Sequence, residues 1–229
     1  MPDTSSSLTQ AWARQLLSLD PTGSPQVMEA ARRGLTDYLA CALGGADDPG
    51  LDRVAAALAP ATGAATVIAR GQTLDAVSAA LLNGYSGHAL DYDDVHRSVR
   101  GHPSTVLLPA LLALAQTRGM SGQKLLGAYA VGAQAMGRLG LAIGGAHYEA
   151  GFHNTATLGT IATAAACGWG ADHLAALRHL RLHRGVRARG RRAAPRARGV
   201  RLRPARDAGE RGRHRGAPVG RVVERAARG

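Results

Sequence analysis

Between Asn83 and Ser104, three aspartates (Asp91, Asp93 and Asp94) and three histidines (His88, His96 and His102) fall within 22 residues. The flanking segments are apolar and poor in charge. A solvated face would mix Lys with Glu. So dense a set of carboxylates and imidazoles points instead to acid/base chemistry or to a metal. Three carboxylates this close cannot all ionise cheaply, so at least one should hold its proton more tightly unless a cation sits nearby. An imidazole titrates close to neutral pH and can give or take that proton. Two plainer roles compete: one histidine is structural, and Asp94 simply caps a helix.

His102-Pro103 forces an extended backbone at His102, and Ser104 or Thr105 then caps the helix that follows. An imidazole thereby stands just before a helix N-terminus, where an anion is favoured. If the helix starting at Thr73 continues, His88 and Asp91 are three apart and share a face. Gly151-Phe152-His153-Asn154-Thr155 reads as a second His-bearing helix start, with Thr155 as N-cap. Alone, such a histidine is more often a hydrogen-bonding fixture than a catalyst; two such starts can converge on one pocket. An acid, a base and an anion-friendly helix end suit a carboxylate substrate that loses or gains a proton. The rival is a Mg-dependent all-α enzyme in which Asp91, Asp93 and Asp94 hold the ion against a diphosphate. It requires a second acidic motif, and Asp47-Asp48 lies in a Gly/Pro loop.

The elements that must position these residues read as successive helices over residues 1–172. Leu8 to Leu19 carries Leu8, Trp12, Leu16 and Leu19 on one stripe. Ser24-Pro25 opens a helix whose stripe is Val27, Ala31, Leu35, Tyr38 and Leu39, stopped by Gly44-Gly45. Leu51 to Leu58 is a short helix ended by Pro60. Ala65 to Ala69 is the only strand-like stretch, and Thr73 caps the helix leading to the His/Asp cluster. Thr105 to Thr117, Ser121 to Ile143 and Thr155 to Gly168 complete the set. Gly127, Gly132, Gly137 and Gly140 let the long helix approach its neighbours closely. Aromatic content is 3%, so Leu and Ala must make the core. That predicts an all-α helical bundle that leans on a partner chain or a further domain.

Charge divides the chain. Residues 1–172 carry ten Lys and Arg against thirteen Asp and Glu, whereas residues 173–229 carry eighteen Arg against three acidic residues. In that last stretch Arg, Ala, Gly and Pro make 40 of 57 residues, and Lys, Ser, Thr and Ile are absent. Without apolar periodicity such a segment cannot offset its ordering entropy, which predicts a disordered Arg-rich tail. Three readings fit it: a basic tail that binds nucleic acid non-specifically through phosphates, a linker, or GC-rich DNA translated out of frame. The alphabet fits the last best, because Arg, Ala, Gly and Pro have codons written wholly in G and C. Cys41 and Cys167 lack CxxC spacing, which predicts free thiols in a reducing compartment. Met1 to Ser7 is polar and lacks the basic-then-apolar order of a signal peptide, so none is expected. The charge-free run between Glu149 and Asp172 is rich in Gly, Thr and Ala and predicts a buried helix, with no membrane span.

The run Asn83-Gly84, His88-Ala89-Leu90-Asp91-Tyr92-Asp93-Asp94 and His102-Pro103-Ser104 resembles the signature of the MmgE/PrpD family. Ala65-Thr66-Val67-Ile68, Ala79 to Gly84, and Gly151 to Thr155 with Gly159-Thr160 match in order, so the likeness covers about residues 8–178. Known members include 2-methylcitrate dehydratase, cis-aconitate decarboxylase and iminodisuccinate epimerase. The resemblance implies a large helical domain, a smaller lid domain, a cytoplasmic homodimer and no metal or organic cofactor. It implies a lyase acting on a small carboxylate by dehydration or decarboxylation. Asp91, His102 and His153 would then be catalytic, with His88, Asp94 and Ser104 binding the substrate. In the family the next segment continues the helical domain and supplies a Lys-bearing loop, then the lid. Here the Arg-rich stretch stands in its place. The expectation is therefore a partial helical domain over residues 8–177, a separate tail over 178–229, and little or no activity.

Overall fold

Helix starts organise this chain. The computed structural model describes residues 7–58 and 62–171. Helix α1 (Leu8–Leu17) begins at Ser7, which forms a capping box with Gln10. Helix α2 (Pro25–Gly44) begins at Ser24 with Pro25 in its first turn, α3 (Pro49–Ala57) at Asp48, α4 (Ala76–His88) at Asp75, and α6 (Gly122–Ile143) at Ser121. In each, the side chain accepts a backbone N–H of the first turn, as the orphan donors of a helix start require. Two long helices depart from this rule. Helix α5 (Pro103–Arg118) starts at His102 and α8 (Asn154–Gly170) at His153, and neither imidazole caps its helix. A short helix, α7 (Ala146–Glu149), lies between α6 and α8.

The predicted all-α bundle is present. It carries one small addition, an antiparallel hairpin of β1 (Ala65–Val67) and β2 (Gln72–Leu74) in register Ala65 to Leu74. Thr73, expected as a helix cap, lies in β2; Asp75 takes that role with two hydrogen bonds from Val77 and Ser78. An aspartate accepts two donors where a threonine in extended backbone is already paired across the hairpin.

The main core joins α2, α5, α6 and α8 around Tyr38, Leu107, Leu111, Val131, Met136 and Leu158. Leu51, Val67, Ala79 and Leu82 form a second cluster beneath the hairpin. Aromatic residues are few, so close approach replaces bulk. A Cβ on Gly132 would sit 2.7 Å from Leu107 and 2.9 Å from Ala166, and one on Gly127 would press on Trp169. The spacing of small residues in α6 thus serves the packing expected of it. Two stripe residues do not follow the pattern. Leu8 is 87% exposed and Val27 38% exposed, each in the first turn of its helix. Among the described residues no helix is long and apolar enough to cross a membrane. Cys41 and Cys167 are free thiols. The expected disordered tail and the stop at Pro60 lie outside the described residues.

Candidate functional site

Helix α4 delivers His88 at its last turn, and the chain then leaves helical geometry. Asp91 adopts a left-handed backbone at φ 53°, as does Arg100 at φ 53° near the far end of the loop. Left-handed backbone is costly for residues with a Cβ, less so for aspartate. Hydrogen bonds hold the loop in place: Asp91 N–H donates to His88 O at 3.1 Å, Arg100 N–H to His96 O at 2.8 Å and His96 N–H to Gly101 O at 3.0 Å. The shared helical face expected for His88 and Asp91 is therefore not formed. The turn still leaves Asp91 Oδ1 4.0 Å from His88 Nδ1.

Asp93 is the hub. It is buried, and its Oδ1 lies 2.8 Å from His88 Nδ1 and 3.4 Å from His102 Nδ1. The two imidazoles meet at a ring separation of 4.6 Å. Asp91, with 77% of its side chain exposed, closes the group from outside, its Oδ1 3.5 Å from His102 Nε2. A carboxylate can only accept, so its bond to His88 keeps the proton on Nδ1 and leaves Nε2 as the basic atom. Sequence reasoning counted Asp93 in the cluster and gave it a part only in the magnesium alternative, none in the acid/base site. Its neighbours Tyr92 and Asp94 are polar, so no apolar pattern marked its burial.

Asp94 points elsewhere. Its Oδ1 accepts the Ser104 N–H at 3.0 Å, which caps α5 from across the loop. This explains how α5 begins without a cap from His102. It also means that the electropositive start of α5 already faces a carboxylate of its own chain. Burial pushes the Asp94 carboxyl above the usual carboxylate range, against the Ser104 hydrogen bonds that pull it down. A raised carboxyl was expected from mutual repulsion; burial is the larger cause. Ser104 is fully buried, and its hydroxyl shares a 2.6 Å hydrogen bond with Tyr129. Burial pushes the Tyr129 phenol up to about 12.

The two histidine-bearing helix starts are tied together. His102 N–H donates to Thr155 Oγ1 at 3.1 Å, and Asn154 Nδ2 donates to Val99 O at 2.6 Å. Gly101 permits the contact, since a Cβ there would lie 2.7 Å from Thr155 Oγ1. Thr155, expected as an N-cap, serves as this tether. Beside it opens a cleft of about 740 Å³, lined by His88, His153, Thr105, Thr155, Thr160 and Thr163 among others. His153 is exposed there. So His88, rather than His102, shares the open cleft with His153, while neither His102 nor Asp91 is part of its lining. Among the described residues no Arg or Lys lines it. His96 lies apart in a second cleft of about 380 Å³, with Tyr129, Gln134 and Arg138. The grouping of three imidazoles reduces to two, joined by His153.

The donor set also bears on the magnesium alternative. Asp91, Asp93 and Asp94 do not converge, because Asp94 is taken up by α5. The ligand-type atoms that do converge belong to His88, Asp91, Asp93 and His102, all within 4.8 Å of one another. Magnesium prefers oxygen donors and water, so this mixture does not suit it.

Residues 12–174 match the family model for the MmgE/PrpD N-terminal domain. The chain is 35% identical over 159 residues to a cis-aconitate decarboxylase-like protein, oryM, of Aspergillus oryzae; the match covers 65% of this chain and 33% of that protein. It is 32% identical over 165 residues to cis-aconitate decarboxylase of Aspergillus terreus, covering 69% of this chain and 33% of the relative. The aligned part thus spans about a third of the length of these curated relatives.

Proposed function

The chain belongs to the MmgE/PrpD family, and from that premise we propose that it carries the acid/base part of a lyase site for a small carboxylate. The parent reaction is decarboxylation or dehydration of a tricarboxylate such as cis-aconitate or 2-methylcitrate. The observation that supports this most is the Asp93–His88 pair, 2.8 Å apart, at a cleft that His153 also lines. In this reading His88 Nε2 faces the substrate, with Asp93 fixing its tautomer. His153 supplies the second proton-transfer group, and His102 and Asp91 adjust the charge on His88. For dehydration, a base removes the proton next to a carboxylate and an acid protonates the departing hydroxyl. For decarboxylation, the C–C electron pair stays on carbon, which then takes a proton from the acid. Asp94 and Ser104 act in this scheme by fixing the start of α5.

A tricarboxylate needs fixed cations to hold it, and among the described residues the cleft lining has none. The reading therefore includes a chain that is inactive or nearly so by itself, a partial helical domain over residues 8–177 and a distinct stretch over 178–229. It extends to a cytoplasmic homodimer for the full-length protein, with nucleic acid held only non-specifically by the basic stretch. The test is purified chain with millimolar cis-aconitate or 2-methylcitrate. The expected outcome is no turnover at ordinary enzyme rates, with ring resonances of His88 and His153 shifted by NMR. Ordinary turnover would refute the inactivity, and unmoved imidazoles would refute the binding site.

A further inference from the structure

We propose that the cleft between α2 and α6, which the acid/base reading leaves unused, is a binding site for a small organic anion: one carboxylate on a short, branched aliphatic body. Two helical faces and one loop build its walls. Helix α6 turns Ala130, Ala133, Gly137 and Leu141 toward it at intervals of three and four residues, with Gln134 and Arg138 on the same face. Helix α2 adds Val27, Ala30 and Ala31, and the loop after α4 adds His96 and Ser98. Val27 is 38% exposed and Leu141 71% exposed, so apolar surface stands open to water here. The polar side chains of the lining can all donate a hydrogen bond, and among the described residues no carboxylate lines the cleft. Arg138 has no carboxylate partner among the described residues. Its Nε and Nη2 instead donate to the side-chain oxygen of Gln134, at 2.9 and 3.3 Å, with that amide turned to suit them. The other end of the guanidinium fork, Nη1 with the second Nη2 proton, is left for a carboxylate. His96 points the same way. Its Nδ1 is buried without a hydrogen-bond partner, and an orphaned N–H there costs more than an orphaned lone pair. The ring proton therefore belongs on Nε2. That atom lies 3.5 Å from where a Cβ of Gly137 would stand, on the face of α6 that lines the cleft. Asp37 and Asp94 act on the Tyr129 phenol, yet neither belongs to the lining. A fixed cation thus stands in this cleft and not, among the described residues, in the one lined by His88 and His153. A space of about 380 Å³ is more than a bare inorganic ion fills and suits a small organic molecule. Its methyl groups would lie on Val27, Ala30 and Leu141, where each carbon removed from water adds to affinity.

The two clefts share no lining residue, so this inference and the acid/base reading fail separately. The experiment is an NMR titration of the full chain, labelled on backbone amides and histidine rings, with 3-methylbutanoate. Acetate, inorganic phosphate and the uncharged 3-methylbutanamide serve as controls. The expected result is saturable binding of one 3-methylbutanoate per chain with a Kd of about 1 mM or tighter. Shifts should fall on the His96 ring and along α6 from Ala130 to Leu141. Each control should bind at least about tenfold more weakly, because it lacks either the charge or the apolar body. Arg138→Gln should weaken binding at least about tenfold. Ala30→Leu fills the cleft from an exposed position and leaves the charge unchanged, and should abolish binding. Circular dichroism of each variant shows that the fold is kept. Absence of saturation, or saturation unmoved by Arg138→Gln, would overturn the proposal. So would acetate or phosphate binding as tightly as the branched acid, which marks non-specific attraction to the Arg-rich residues 173–229. Equal binding of the amide would remove the role of charge, and shifts confined to His88 and His153 would move the acid to the other cleft; either result overturns the assignment. A dimer that Ala30→Leu disperses in sedimentation would give this cleft to a second copy of the chain instead.

Discussion

Asp93 and Asp94 are adjacent in sequence and opposite in role, one bound to imidazoles and the other to a helix end. Asp94 makes a prediction with a definite sign. Its proton affinity in the folded chain exceeds that in the unfolded chain, with burial as the main cause. Stability from this group is fully present below the ordinary carboxylate range and is lost as pH rises through the raised value. Asp94→Asn keeps an oxygen for the Ser104 N–H and removes that loss. Denaturant midpoints should therefore favour the Asn variant more at neutral pH than near pH 3, and a constant difference would refute the assignment. Asp94→Ala should cost about 1 kcal/mol, the usual value of a helix cap. The types of these residues were legible in the sequence, but their directions were not. The left-handed backbone at Asp91 sets those directions, and no periodicity encodes it.

Helix starts were the most readable elements. Ser24-Pro25 and Ser121 each open a helix as expected, because local capping and proline chemistry decide them; α5 opens at Pro103 as the His-Pro step suggests, but neither Ser104 nor Thr105 caps it, and Asp94 does so from across the loop. The hairpin was half seen. Gln72 to Leu74 is short and largely exposed, and its pairing depends on β1 rather than on its own residues. Asn83 explains how that hairpin is held. Its side chain accepts Ile68 N–H at 2.8 Å and donates to Thr66 O at 2.9 Å, while its carbonyl accepts the Tyr38 hydroxyl at 2.9 Å. The Asn-Gly pair that the family resemblance singled out is thus architectural, with Gly84 facing the Thr105 carbonyl of α5. The contact between the site loop and α8 is testable. Gly101→Ala would place a Cβ 3.0 Å from Thr155 N and 2.7 Å from its Oγ1. It should destabilise the chain by about 1–3 kcal/mol. Gly137→Ala meets only the His96 ring, at 3.2 Å, and should cost less, as thermal unfolding of the two variants would show.

At the scale of the molecule, the bundle was legible because apolar stripes and small-residue spacing report packing directly. Which imidazole would face the cleft was not, since that depends on how α4, α5 and α8 meet. The bonds joining them are long in sequence. His102 and Thr155 are 53 residues apart, Val99 and Asn154 are 55 apart, and Trp169 donates to the Leu19 carbonyl across 150. Amide exchange should show the consequence: His102 N–H should open with the same free energy as core amides of α8 rather than with its own loop. Faster, independent exchange would mean that the tether is dispensable. The order of synthesis follows from the same bonds. Asn83 to Ser104 leaves the ribosome as a contiguous motif, yet its partner on α8 follows some 53 residues behind. Loop closure over that distance precedes any gain from the contact. A cluster written locally in the gene is therefore assembled late in the life of the nascent chain, when α8 arrives to bind it.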